Sequence, residues 1–387
     1  LPCAAVADIR ELPDESVLRA VAQETLGEAA KHNLDRLSLQ HRMRASNQFD
    51  IETNHILQKL RHDGLDEVST VSFKADGETL YGTQKSRKIW AVESAELWEV
   101  RELDRNWQRV SRYGDWDSVP LSLTQDSLST DVTTSLVDIG AGTSDADCAG
   151  KETEGKLVLT FSQPGAVVER TVGELGAAGI IAYAPNQRSV WWQEDDRLVR
   201  WGHLSSFLET ESFGSRISLG SAQKWQSRLQ AGEVVYFHAQ VDARHESGEF
   251  RFATAAINGT DLADEDIQLT CHLNHPRPGA NDNASGCVSI LQVARTLNQL
   301  IEDDILPRPR RSIRFVWPAE IEGSIMFLTE HADVKRIKAN IHMDRVVGGP
   351  VPKSVFRILG CPYSVPSFIA DLGHEVGAFV NDQTLRY

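Results

Sequence analysis

Apolar positions change their period several times along the chain, and each change predicts an element. Between residues 14 and 62, Val17, Leu18, Val21 and Leu26, then Ile51, Ile56 and Leu60, recur at roughly helical spacing. That spacing predicts helices with one buried face. His62-Asp63-Gly64-Leu65 stops the pattern, and Gly64 suits a helix C-cap. From 66 to 110 the period shortens. Val68, Val71 and Phe73 sit among polar partners, Ala75-Asp76-Gly77 is a turn signal, and 89–92 predicts a second strand. Trp98 and Trp107 are expected to be packing surface, since no basic groove accompanies them to make a base-stacking platform.

Ser and Thr dominate 118–144. A strand at 156–161, a helix at 166–175 and a strand at 179–183 then make a βαβ unit, and 234–241 predicts a further strand. The last region is the most regular. Strands are expected at 267–272, 313–317 and 337–343, with helices at 285–301 and 324–331 between them. Val288, Leu291, Val293, Ala294, Leu297 and Leu300 line one side of the longer helix. Alternating β and α implies a parallel sheet covered on both faces. The expected class is α/β, a mixed, mainly parallel sheet flanked by helices, with a β-rich insert. The expected parts are 1–117, an insert at 118–245, and a core at 246–387.

Composition narrows the function. A length of 387 residues allows two or three domains. No stretch approaches the roughly 20 apolar residues needed to span a membrane. A formal charge of −15, from 40 Lys and Arg against 55 Asp and Glu, argues against non-specific nucleic-acid binding, which needs a basic face. Five cysteines without a CxxC pair argue against a thiolate zinc finger, and an odd count does not read as a disulfide framework. Ala5-Val6-Ala7 is similar to the small-residue end of a secretory signal, without the apolar core of one. Location therefore stays open between secreted or periplasmic and cytoplasmic, and oligomeric state is not addressed.

The chemistry concentrates in the last region. In open α/β sheets the working groups sit at the carboxyl ends of the strands. His272 ends the first predicted strand, and Asp282 lies in the loop after it. Glu320 follows the second strand and Asp344 the third. Histidine nitrogen and carboxylate oxygen are zinc ligands, a carboxylate can bridge two ions, and a further carboxylate is needed as general base. Glu320 has the placement for that base.

At these residues the chain resembles a known family. His272-Leu-Asn-His-Pro-Arg-Pro-Gly-Ala-Asn-Asp-Asn-Ala-Ser-Gly286, Arg314-Phe-Val-Trp-Pro-Ala-Glu-Ile-Glu-Gly-Ser-Ile-Met-Phe-Leu328 and Asn340-Ile-His-Met-Asp-Arg-Val-Val-Gly-Gly349 look like three metal-site motifs. They are those of the zinc-dependent exopeptidases of the bacterial leucyl aminopeptidase and glutamate carboxypeptidase type. The match is strongest to a bacterial aminopeptidase-like branch. The resemblance implies a hydrolase-like zinc peptidase core acting on peptides with one or two Zn2+ ions. His272 and Asp344 would ligate zinc, Asp282 would bridge, Glu320 would be the base, and Asn283 and Gly286 would shape the loop. The insert resembles a protease-associated domain at Gly155-Lys-Leu-Val-Leu-Thr-Phe-Ser-Gln-Pro-Gly165 and Glu174-Leu-Gly-Ala-Ala-Gly-Ile-Ile-Ala-Tyr-Ala-Pro185. Such inserts carry no catalytic role.

Departures from the family pattern matter. Asn274 stands where an Asp usually orients the first His. Ile321 follows Glu320 where a second Glu normally ligates metal, which leaves Glu322 or His275 as substitutes. Arg345 replaces the usual Met. The family's last His ligand lies further beyond Asp344 than His374 does, so that ligand and the closing strands are expected after Tyr387. His331 and His342 are read as surface or packing residues, and His275 as turned towards solvent or behind the ligands. The reading is a zinc exopeptidase, with aminopeptidase as the expected kind. A one-zinc variant and a degenerate peptide- or partner-binding protein are the rivals.

Overall fold

The computed structural model describes residues 14–185, 195–207, 209–348, 357–362, 364 and 367–384. Ala5-Val6-Ala7 lies outside them. In chain order the elements begin with helices α1 (Glu15–Glu24), α2 (Gly27–Leu37) and α3 (Asn47–His62) and strand β1 (Asp66–Ala75). A two-strand ribbon, β2 (Leu80–Tyr81) and β3 (Gln84–Lys85), precedes β4 (Ile89–Leu103), β5 (Asn106–Asp115) and β6 (Thr130–Gly140). Then come α4 (Asp145–Cys148), β7 (Leu157–Thr160), α5 (Pro164–Val168), β8 (Gly179–Tyr183), β9 (Gly214–Ile217), α6 (Leu219–Gln230) and β10 (Tyr236–Glu246). The last part holds β11 (Gly248–Ile257), β12 (Leu262–Thr270), α7 (Ser285–Glu302), β13 (Arg311–Val316), α8 (Glu322–Met326), β14 (Ile337–His342) and α9 (Ile369–Thr384).

The chain divides into two compact units. One comprises residues 43–46 and 74–249. Its seven-stranded sheet runs β5-β4-β10-β6-β7-β8-β9. The β6 to β9 half is parallel, as a βαβ pattern requires, while β10 joins β4 and β6 antiparallel. Trp225, Phe237, Trp90 and Phe213 fill its core. The unit begins at Lys74, well before the expected boundary at 118. The reason is long-range pairing: β4 meets β10 along Tyr236–Glu246, and β5 pairs onto β4, so both strands join the sheet that holds β6 to β10. Trp98 is covered by the guanidinium groups of Arg109 and Arg112.

The other unit comprises residues 1–42, 47–73 and 250–387. Its sheet runs β1-β11-β13-β12-β14. β12 lies parallel to β13 and β14, and β11 runs antiparallel to β13, so the sheet is mixed. Phe252 to Ile257 of β11 are all buried, as a strand covered on both faces should be. α7 packs on β12 and meets α1, α2 and α3. Its buried positions Val288, Leu291 and Ala294 follow the helical period. Gly64 adopts φ 75° and ends α3, a backbone state that costs glycine nothing.

The cysteine reading is corrected. Cys271 and Cys287 form a disulfide across sixteen residues of sequence. It ties the end of β12 to the first turn of α7, and both residues are buried. No spacing motif announces such a bridge, because the two positions meet only once helix and strand have packed. Cys148 and Cys361 are free.

Candidate metal centre

The parallel strands deliver their ends to one place. Cys271-His272 directly follows β12, Glu320 follows β13, and Asp344 lies two residues beyond β14. The β12–β14 register, Thr270 opposite His342, brings the first and third of these ends level. The loop before α7 brings Asp282 to the same spot. Buried Asn283 is its anchor: the amide nitrogen donates to the Met343 carbonyl at 3.0 Å, and the amide oxygen accepts from Gly286 N at 3.2 Å and Arg345 N at 3.3 Å. Gly286 is needed there. A Cβ would stand 2.3 Å from the Met343 carbonyl oxygen.

His272, Asp282 and Asp344 come together. Among the described residues they form a group of His, Cys, Asp and Glu side chains with ligand atoms all within 4.8 Å. His272 Nε2 lies 3.2 Å from Asp282 Oδ1 and 3.7 Å from Asp344 Oδ1. His272 Nδ1 donates to the Asn274 carbonyl at 3.2 Å, so the ring presents Nε2 to the carboxylates. A backbone carbonyl thus orients the ring where the family pattern has an Asp side chain.

Electrostatics fit a cation between these groups. Burial works to lower the His272 pKa, but the facing carboxylates of Asp282 and Asp344 and the charge of Glu320 raise it to about 9. Burial pushes Asp282 up, yet the His272 hydrogen bond and nearby positive charge hold its carboxyl below the usual range. Asp344 Oδ1 is buried, and the two cationic groups that face it, His272 Nε2 at 3.7 Å and Arg345 Nε at 3.6 Å, both lie beyond hydrogen-bonding distance. A buried carboxylate oxygen without a donor is costly, and a metal ion is the partner that would satisfy it. The nitrogen and oxygen donors are of the type zinc takes.

The other predicted residues divide. Glu320 is exposed, and its backbone N–H donates to the Asn274 side-chain oxygen at 2.5 Å. Ile321, which follows it, is 67% exposed with φ 58°, and it offers no ligand. Glu322 is buried at the start of α8 and does not join the group. His275 turns inward, with Nε2 3.9 Å from Asp282 Oδ2. His331 packs on Phe327, as expected of a packing residue. His342 lies parallel to the His272 ring at 6.4 Å and bonds Thr270 Oγ1 at 2.9 Å. His374 is exposed on α9 and outside the group.

One positioning residue escaped sequence reasoning. Arg42 is fully buried and holds the loop between β12 and α7 from behind. Its Nε donates to the Leu273 carbonyl at 2.9 Å, Nη2 to Gly279 at 3.2 Å and Nη1 to Leu37. Its backbone pairs with His275 in both directions, at 3.0 and 2.9 Å. Burial drives its pKa down to about 10, against the favourable charges of Glu52 and Asp282. A lone arginine some 230 residues before the loop carries no local signal; the pairing is visible only in the fold.

Known proteins agree with this architecture. Residues 253–380 match Peptidase family M28. No curated protein matches the chain. Among solved structures, an aminopeptidase from Aneurinibacillus sp. strain AM-1 aligns with TM-score 0.53 at 21% identity, over 84% of this chain and 72% of that one. A peptidase M28 precursor from Shewanella amazonensis aligns with TM-score 0.60 at 17% identity, over 84% and 73%. A zinc aminopeptidase from Bacillus subtilis aligns with TM-score 0.54 at 16% identity, over 87% and 70%. Likeness at these identities is likeness of fold. The matched segment runs from β11 into α9 and contains His272, Asp282, Glu320 and Asp344. The part of the chain that carries the candidate metal centre is thus the part that is similar to Peptidase family M28.

Proposed function

We propose that the chain is a zinc-dependent exopeptidase, an aminopeptidase, that hydrolyses the terminal peptide bond of its substrates. The observation that carries the reading is His272 Nε2 set between Asp282 Oδ1 and Asp344 Oδ1 at 3.2 and 3.7 Å, at the ends of parallel strands. The similarity to solved aminopeptidases supports it.

Zinc held by these three residues would supply Lewis-acid polarisation of the scissile carbonyl and a more acidic water. The protein's own groups do the rest. The Asn274 carbonyl and the strand end aim His272. Asn283 and Gly286 hold Asp282 beside Asp344. Glu320 is exposed to incoming substrate, its backbone fixed by Asn274. Its carboxylate takes a proton from the attacking water and returns it to the leaving amine. The unit at 74–249, which we read as a protease-associated domain, carries none of these groups.

The test is Glu320→Gln, which keeps shape and removes the proton acceptor. Metal content should be unchanged, while hydrolysis of amino-acid amides and short peptides should fall by at least about 100-fold. Full activity in the variant ends the assignment. A metal-loaded wild-type chain with no turnover would instead identify a binding protein.

A further inference from the structure

The 74–249 unit holds a buried cation that its own side chains leave unmatched. Arg216 lies on β9 and is 2% exposed. Its Nε donates to the Arg200 carbonyl at 3.0 Å. Nη1 is buried without a hydrogen-bond partner, and among the described residues no carboxylate pairs with the guanidinium. We infer that Arg216 binds a small oxyanion, a carboxylate or a phosphate, through its Nη1–Nη2 edge. The site uses none of the metal-centre residues and goes beyond the peptidase reading.

Three observations carry it. The first is the balance of charge. Burial, then the positive charge of Arg200, lowers the Arg216 pKa to about 10, so the group stays protonated at neutral pH. An unpaired buried charge is costly. Other buried arginines of the chain are matched. Arg42 ends on three backbone carbonyls, and Arg44 faces Asp126 at 3.5 Å. Acids are in excess over the whole chain, at a formal charge of −15, yet the charge beside Arg216 is another cation. A water molecule would satisfy Nη1 but would leave the charge unmatched.

The second observation is shape. With Nε taken, the Nη1–Nη2 edge remains, and that fork pairs side by side with two oxygens of a carboxylate or phosphate. The side chain fits its place because residue 202 is glycine: a Cβ there would stand 2.7 Å from Arg216 Cδ and 3.0 Å from its Nε. Gln163 Oε1 lies 3.2 Å from the same point, and Gln163 is exposed. It marks the side open to solvent, and its amide N–H2 is a second donor for the oxyanion. The third observation is position. β6 to β9 run parallel, with Arg216 opposite Ala182 and Ala182 opposite Thr160 at the carboxyl ends of β9, β8 and β7. Gln163 lies in the loop that leaves β7 for α5. Beyond the carboxyl ends of parallel strands is where such sheets bind ligands.

The experiment is isothermal titration calorimetry of the full-length chain with sodium phosphate and with sodium acetate, at an ionic strength fixed by sodium chloride. At least one of the two should bind saturably, one per chain, and the tighter of them identifies the oxyanion. Binding of neither by wild type overturns the inference. Arg216→Met keeps the apolar stem and removes the charge. It should weaken binding at least about tenfold, the worth of a charge-assisted pair. Circular dichroism checks its fold, and unaltered binding in the folded variant overturns the inference. Should Arg216→Met not fold, Gln163→Ala decides, because the position is exposed. Binding there should weaken at least about threefold, as for one lost hydrogen bond, and an unaltered affinity overturns the inference. Chelation separates this site from the metal centre. Binding that persists after EDTA treatment supports Arg216; binding that is lost with the metal places the anion on the metal and overturns the inference.

Discussion

At the scale of single residues, the smallest departure from the family pattern has the clearest consequence. Asn274 does two jobs with different atoms. Its carbonyl takes the His272 Nδ1 proton, and its side-chain oxygen takes the Glu320 N–H. Any residue supplies the first; only an acceptor side chain of this length supplies the second. Asn274→Ala should therefore keep the metal and lose turnover by up to about tenfold, the worth of one hydrogen bond. Asn274→Asp should restore most of it. Steady-state kinetics with metal analysis checks this, and loss of metal in Asn274→Ala would refute the division of labour. The His272, Asp282 and Asp344 grouping was legible because strand ends in an alternating β/α pattern fall on one edge. The inward turn of His275 was not, because its direction comes from pairing with Arg42, far away in sequence.

At the scale of elements, α3 carries a pH response of its own. His55 hydrogen-bonds Asn33 at 3.1 Å, and burial, then the charges of Arg36 and Lys59, lower its pKa to about 4. An unfolded histidine binds its proton near pH 6.5. Below that pH the unfolded chain binds the proton more readily, so this contribution to stability is whole above about 6.5 and is lost as pH falls towards 4. The loss amounts to roughly 1–3 kcal/mol. Urea unfolding at pH 7 and pH 4.5 should show a smaller drop for His55→Gln than for wild type, and equal drops would refute it. Periodicity located the helices and strands well where each element makes its own pattern, as in α7 and β14. It does not show that the compact unit reaches back to Lys74, because β4 and β5 are ordinary strands whose allegiance to β10 is decided by pairing, not by local pattern.

At the scale of the whole molecule, every candidate ligand belongs to one compact unit, while the acidic balance of −15 belongs to the full chain. β1 and β11, which flank the 74–249 segment in sequence, are neighbours in one sheet. Joining Phe73 to Phe250 through a short Gly-Ser linker should therefore leave a folded chain with the same metal content as the intact one. A folded product that binds no metal would show that the site depends on more than its own unit. The disulfide has one more effect. Cys271 and Cys287 close a covalent ring that contains His272, His275 and Asp282. A protease that cuts anywhere inside that ring does not part the chain. The severed ends stay tethered through sulfur, and only a reductant releases them. For a protein that would work among peptide-cleaving enzymes, the loop most needed for activity is also the one where a single cut cannot separate the pieces.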